Sequence, residues 1–244
     1  EASKRMYDEA KRRKIKMKHV KLLDCTLRDG LRIVDCKFQD NDISGMVKGL
    51  QDVGIDIIEV GFLRDEKLVH YEKNSTFFTD VKQIQRLIPE HNKGTMYVAF
   101  IDYNMFDFNT LQEHDERCVD GIRVGFTKKD FLTDFDGVMH CMKLVKSRGY
   151  KLFMQGVNSL GYSDDEFLKM VKMANEIEPY AFAIVDTYGA MYKEDLLHYF
   201  ELIKYNLDPE IMVDFHSHNN YQLSFALAQE FIAMRGERDV IIDC

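Results

Sequence analysis

The feature that most constrains this chain is a series of short apolar runs, spaced by about 30 residues and separated by longer amphipathic stretches, the pattern of strands alternating with covering helices. From residue 20 onward the runs are Val20–Cys25, Ile55–Gly61, Thr95–Ile101, Gly121–Gly125, Lys151–Gly156, Ala181–Val185, Met212–Phe215 and Val240–Asp243. Helical periodicity fills the intervals over Asn41–Val53, Phe78–Ile88, Phe106–Asp115, Phe135–Arg148, Ser163–Ile177, Lys193–Tyr205 and Tyr221–Met234. Ser163 followed by Glu166 reads as a capping box. Eight strand runs with no Pro- or Gly-rich linker fit an α/β chain closed as a (β/α)8 TIM barrel better than an open doubly wound sheet, and the missing GxGxxG weighs against a dinucleotide fold. The eighth run ends where the chain does, at Cys244, so the expected barrel occupies residues 20–244 and lacks its last loop and helix. Residues 1–19, with Arg12, Arg13, Lys14, Lys16 and Lys18 crowded together, read as a basic N-terminal arm or helix with no assigned function.

Composition narrows the partners. A net charge of -8 over 244 residues argues against a nucleic-acid groove or an anionic membrane face. No apolar run reaches the roughly 18–20 residues of a membrane span, and the N-terminus lacks the apolar centre of a secretory signal, so a cytoplasmic protein is expected. The five cysteines, Cys25, Cys36, Cys118, Cys141 and Cys244, form no CxxC pair and are expected to be reduced thiols.

In a barrel of this kind chemistry sits where strands end at their C-terminal side. The first run ends in Cys25-Thr26-Leu27-Arg28-Asp29-Gly30, the second in Glu59-Val60-Gly61-Phe62 and the seventh in Asp214-Phe215-His216-Ser217-His218. His216 and His218, two apart on an extended strand, point to one face, where their ring nitrogens can share a divalent ion. A carboxylate from Asp29 would complete a set suited to Mn2+, Zn2+, Co2+, Fe2+ or Mg2+, whereas taken alone the two-histidine spacing is as readily a coincidence on a polar strand end. Arg28 is placed to hold a substrate carboxylate or an enolate oxygen, or else to form a structural salt bridge with Asp29, Asp24 or Glu59. Glu59 faces the same mouth and orients Arg28 or a metal-bound water, unless its role is purely structural. Gln155 and Thr187 on the fifth and sixth strand ends are candidates to bond a substrate oxygen, and Asp186 is as readily a helix-capping or a loop-bracing acid. His70, His91, His114, His140 and His198 read as surface residues.

These motifs together, TLRDG at 26–30, IIEVGF at 57–62, FMQGVNSLGYSDDE at 153–166, VDTYGAM at 185–191 and HSHNN at 216–220, resemble the metal-dependent aldolase and Claisen-condensing barrels typified by hydroxymethylglutaryl-CoA lyase, 4-hydroxy-2-oxovalerate aldolase and isopropylmalate synthase. The resemblance implies that Asp29, His216 and His218 bind a divalent metal, with Mn2+ the first choice and Mg2+, Zn2+ or Co2+ as alternatives, and that Arg28 stabilises an enolate oxygen. It implies a lyase that cleaves a 4-hydroxy-2-oxo acid through a metal-stabilised pyruvate enolate. The alternatives are an acyl-CoA-dependent synthase acting on a 2-oxo acid, or a non-catalytic metal-binding barrel. It also leaves room for a homo-oligomer and for an aldehyde dehydrogenase partner.

One departure stands out: two residues after Gly30, where the relatives carry His or Gln, this chain has Arg32. Arg32 is accordingly a candidate for a further anionic group on the substrate, or a solvent-facing loop residue. The general base is left to a water, to Tyr188 or to a residue beyond Cys244.

Overall fold

A computed structural model describes residues 20–34, 37–70, 75–88 and 94–244. The basic stretch 1–19, Cys36, His91 and the Arg32 side chain lie outside that description. Among the described residues nine strands run in chain order as β1 (Val20–Asp24), β2 (Ile57–Leu63), β3 (Phe77–Phe78), β4 (Met96–Asp102), β5 (Gly121–Phe126), β6 (Lys151–Gly156), β7 (Ala181–Asp186), β8 (Met212–Ser217) and β9 (Val240–Asp243). Eight of them form a parallel barrel, closed because β1 pairs with β9 on one side and β2 on the other; β3 is a two-residue strand added to β2. The eight strand runs read from the sequence correspond to the eight staves, with ends shifted by one or two residues.

Helices cover the outside: α1 (Asp40–Asp52), α2 (Val81–Gln85), α3 (Lys128–Thr133), α4 (Phe135–Ser147), α5 (Asp164–Ile177), α6 (Lys193–Asn206) and α7 (Ser224–Met234). α5 shows how local chemistry sets a boundary. The Ser163 hydroxyl accepts from Glu166 N while the Glu166 carboxylate accepts from Ser163 N, so two backbone donors that a helix start leaves orphaned are satisfied. Its apolar stripe, Phe167, Met170, Val171, Ala174 and Ile177, is then buried against the barrel. Two expected helices differ. Phe78–Ile88 is helical only over Val81–Gln85, because Phe77 and Phe78 are drawn into the sheet beside Phe62 and Leu63. Phe106–Asp115 contains a single 3-10 turn, Phe108–Thr110; Asp107 accepts from Asn109 N, and the backbone is already extended at Leu111. No helix of the described residues is long and apolar enough to cross a membrane.

Alternation along the staves fills the barrel in tiers. Near the N-terminal ends of the strands, Leu23, Ile57, Val98, Phe153, Ala181, Met212 and Ile241 make an apolar floor, reached from above by Cys25. One step toward the C-terminal ends come Glu59, Arg123, Gln155, Asp214 and Asp243, all with 7% exposure or less. Above these, Leu31, Phe62 and Phe100 form a small apolar cluster at the mouth. Phe62 reaches it because β2 shifts register between Glu59 and Phe62, with Gly61 at φ 149°; a Cβ at Gly61 would lie 2.3 Å from the Thr76 carbonyl oxygen. That bulge lets Glu59 and Phe62, three apart, both serve the interior.

Candidate active site

At the end of β1 the backbone N–H groups of Arg28 and Asp29 both donate to the Cys25 carbonyl, at 3.0 and 2.8 Å. This tight turn delivers two charged side chains to the barrel mouth. The Arg28 guanidinium is buried and held on three sides: Nε donates to Glu59 Oε2 at 2.6 Å, Nη1 pairs with Asp29 Oδ1 at 2.9 Å, and the plane lies 4.7 Å from the Phe100 ring centroid. Two of the three structural partners considered from the sequence, Asp29 and Glu59, are thus engaged at once. Asp24 instead accepts from Thr26. Arg28 Nη2 is buried and meets no acceptor among the described residues.

Across the barrel, β8 presents His216 inward and His218 just past its end, ring centroids 5.0 Å apart. His216 Nδ1 donates to Asp243 Oδ2 at 2.6 Å, which fixes the proton on that nitrogen and leaves Nε2 facing Asp29 Oδ2 at 3.8 Å. His218 Nε2 donates to the same Asp29 oxygen at 2.7 Å. The His218 ring is steadied from behind, where its Nδ1 lies 3.3 Å from the Asp186 carbonyl oxygen. The loop after β7 can pack this closely only because residue 189 is glycine: at φ 58°, a Cβ there would sit 2.5 Å from Asn220 N and 2.7 Å from the His218 carbonyl oxygen. Ligand atoms of Asp29, His216 and His218 all lie within 4.8 Å of one another, and this one-carboxylate, two-imidazole set has the chemistry to hold a divalent cation.

The charges beneath the site shape its field. Burial pushes the Asp29 carboxyl up, but the His218 hydrogen bond and the Arg28 charge outweigh it and hold Asp29 well below the usual carboxylate range. The same hydrogen bond raises His218. Burial and the neighbouring Asp243 charge push Asp214 up, while Arg123 and His216 hold Asp243 down against its own burial. The carboxylates Asp29, Glu59 and Asp243 lie against the guanidiniums Arg28 and Arg123, and Asp29 also faces the two histidines, so acidic and basic groups alternate from the buried tier to the mouth. Burial pushes the Cys25 thiol up, so this inward cysteine below His216 stays a neutral thiol.

Arg123, Asp214 and Asp243 form the part of this arrangement that the sequence reading missed. Arg123 is fully buried, and its Nη1 donates to Glu59 Oε2 at 3.0 Å, while Nη2 donates to Asp214 Oδ2 at 3.0 Å and to Asp243 Oδ2 at 2.5 Å. The available signal was a charge at the centre of an otherwise apolar strand, Gly121-Ile122-Arg123-Val124-Gly125, which is affordable only if partnered. Gln155 lies in this buried tier, against Arg123 and Asp214, below the mouth where it was expected. Thr187 is at the mouth, its hydroxyl oxygen accepting from Asn158 N at 2.9 Å. Asp186 is a loop brace, accepting from Ala190 N and Met191 N. Arg32 falls in the 3-10 turn Gly30–Val34, and its side chain is outside the described residues. Tyr188 is 64% exposed on the rim. His70, His140 and His198 are exposed as expected, but His114 is half-buried with its ring edge-on to Tyr150, because the extended segment that replaces the expected helix carries it inward.

The chain is 25% identical over 219 residues to the oxaloacetate decarboxylase of Mycobacterium tuberculosis, covering 84% of this chain and 58% of that protein. It is 23% identical to the 4-hydroxy-2-oxovalerate aldolase of Pelotomaculum thermopropionicum, covering 86% and 60%. The chain thus spans somewhat over half the length of these curated relatives. Among solved structures, the HMG-CoA lyase of Bacillus subtilis shares the fold with a TM-score of 0.69 at 15% identity, over 93% of this chain and 76% of that one. The HMGL-like family model matches residues 19–241, reaching into β9, so the chain belongs to the HMGL-like family.

Proposed function

We propose that this chain is a divalent-metal-dependent carbon–carbon lyase of the aldolase kind, which cleaves a 4-hydroxy-2-oxo acid through a pyruvate enolate. The observation that carries the reading is Arg28. Two of its nitrogens are tied down by Glu59 and Asp29, and the third, Nη2, is buried with no acceptor among the described residues, beside the Asp29, His216 and His218 donor set. A buried guanidinium nitrogen with no acceptor among the described residues suits an oxygen that gains negative charge during reaction. Asp29, His216 and His218 would hold the metal, whose Lewis-acid charge draws electrons toward the oxo oxygen. Arg28 Nη2 donates to the substrate oxygen on which charge accumulates as the carbon–carbon bond breaks. Glu59 keeps the guanidinium from turning away, and Phe62 and Phe100 exclude water from its faces. Oxaloacetate and 4-hydroxy-2-oxovalerate, named for two relatives, are both 2-oxo acids, which supports the substrate class.

The test is calorimetry with Mn2+, followed by oxalate as an enolate mimic, on wild type and His216→Ala. Mn2+-dependent oxalate binding that disappears in the variant supports the reading and directs a screen of aldehydes with pyruvate. Mn2+ binding without oxalate binding overturns the 2-oxo acid, and no Mn2+ binding overturns the metal site.

A further inference from the structure

We propose that Arg123 is a positioning residue that sets the substrate-facing arginine and the metal-facing histidine with one guanidinium. The inference deepens the aldolase reading and rests on the roles given there to Arg28 and His216. Its basis is a pair of shared oxygen atoms. Glu59 Oε2 accepts from Arg123 Nη1 at 3.0 Å and from Arg28 Nε at 2.6 Å. Asp243 Oδ2 accepts from Arg123 Nη2 at 2.5 Å and from His216 Nδ1 at 2.6 Å. Each carboxylate oxygen is therefore pinned between Arg123 below and a functional side chain above. Arg28 comes from the end of β1 and His216 from β8, yet both refer their orientation to one planar group on β5.

The choice of residue fits that task. Only a guanidinium offers several donors in a fixed plane, and here they diverge to Glu59, Asp214 and Asp243. With its amide oxygen turned toward Arg123, Gln155 also accepts from Nε at 2.9 Å. A lysine at 123 would keep the charge but could not hold Glu59 and Asp243 in one plane. Fold alone does not call for this arrangement, since the apolar floor next to it fills the same barrel without charge.

The test uses Arg123→Lys, with Arg123→Met as the more severe variant and Val98→Ala in the floor as a control for lost stability. Three measurements are made: thermal melting, nitrogen-15 NMR of the metal-free protein for the His216 Nδ1–H and Arg28 Nε–H signals, and Mn2+ titration. Arg123→Lys is expected to fold, to lose or shift both NMR signals together, and to bind Mn2+ roughly 10- to 100-fold more weakly, the range for removing support from behind a metal ligand. Val98→Ala is expected to lower melting alone. If Arg123→Lys lowers melting but leaves both signals and Mn2+ affinity unchanged, Arg123 is only structural and the proposal is overturned. Should wild type bind no Mn2+, the aldolase reading fails, and the two NMR signals still decide whether Arg123 positions both side chains.

Discussion

Ile241 and Asp243 stand two residues apart on the inward row of β9. Ile241 joins Leu23, Ile57, Val98, Phe153, Ala181 and Met212 in the floor, whereas Asp243 joins Glu59, Arg123 and Asp214 in the tier above. Both tiers are dry. The floor stabilises by burial, about 1.5–3 kcal/mol for each large side chain taken fully out of water. Charges in the upper tier carry a desolvation cost that their mutual attraction barely offsets, and exchanging such a network for apolar side chains of equal volume is often neutral or stabilising by about 1–4 kcal/mol. The contrast teaches that this tier is not there for stability. Its members reach upward to Arg28 and His216, and losing them should be felt at the mouth first.

The comparison is broken most severely at the mouth itself. Asp29→Ala removes the carboxylate that both histidines face, and with it several kcal/mol of metal-assisted stabilisation, on the order of a thousandfold in turnover of a 2-oxo acid. Melting should fall by less than activity does, because Asp29 keeps 15% of its side chain exposed although its loss takes a partner from the buried Arg28. A large fall in melting temperature with turnover preserved would place Asp29 in the scaffold. Arg28→Lys comes next. The ammonium cannot span Glu59 and Asp29 while offering a further donor, so a loss of about 100- to 1,000-fold is expected in turnover, read against an unchanged Mn2+ affinity. Equal losses in Mn2+ affinity and turnover would instead mean that Arg28 acts by holding Asp29.

These side chains differ in how far the sequence discloses them. Asp29, His216 and His218 are legible because each follows an apolar run at a strand end, and because a spacing of two on an extended strand sends both imidazoles the same way. Their assembly required only that the strands close into a barrel. The buried tier is harder. Arg123 meets Asp214 and Asp243, which lie 91 and 120 positions further along the chain, and an isolated charge inside a short strand does not say which face it takes until register is fixed. The misread helices have local causes. Phe77 and Phe78 carry helical periodicity into Val81 but are captured by β2, and Asp107 spends its side chain on closing a 3-10 turn. His114 was misplaced for the same reason, since a helix there would have turned it to solvent.

The sharpest form of the comparison exchanges one atom group at each of the two β9 positions. Asp243→Asn keeps shape and volume but removes the charge that holds the His216 Nδ1 proton and faces Arg123 Nη2. Mn2+ affinity should fall about 10- to 100-fold. Ile241→Val, a single methylene removed from the floor, should cost about 0.5–1.5 kcal/mol in denaturant unfolding and leave Mn2+ and oxalate affinities where they were. Two substitutions 2 residues apart on one strand would then separate into a binding effect and a stability effect. The separation fails if Ile241→Val weakens Mn2+ binding, for the floor would then be setting the height of the charged tier, and the barrel interior would act as one packed unit in place of two tiers with different tasks.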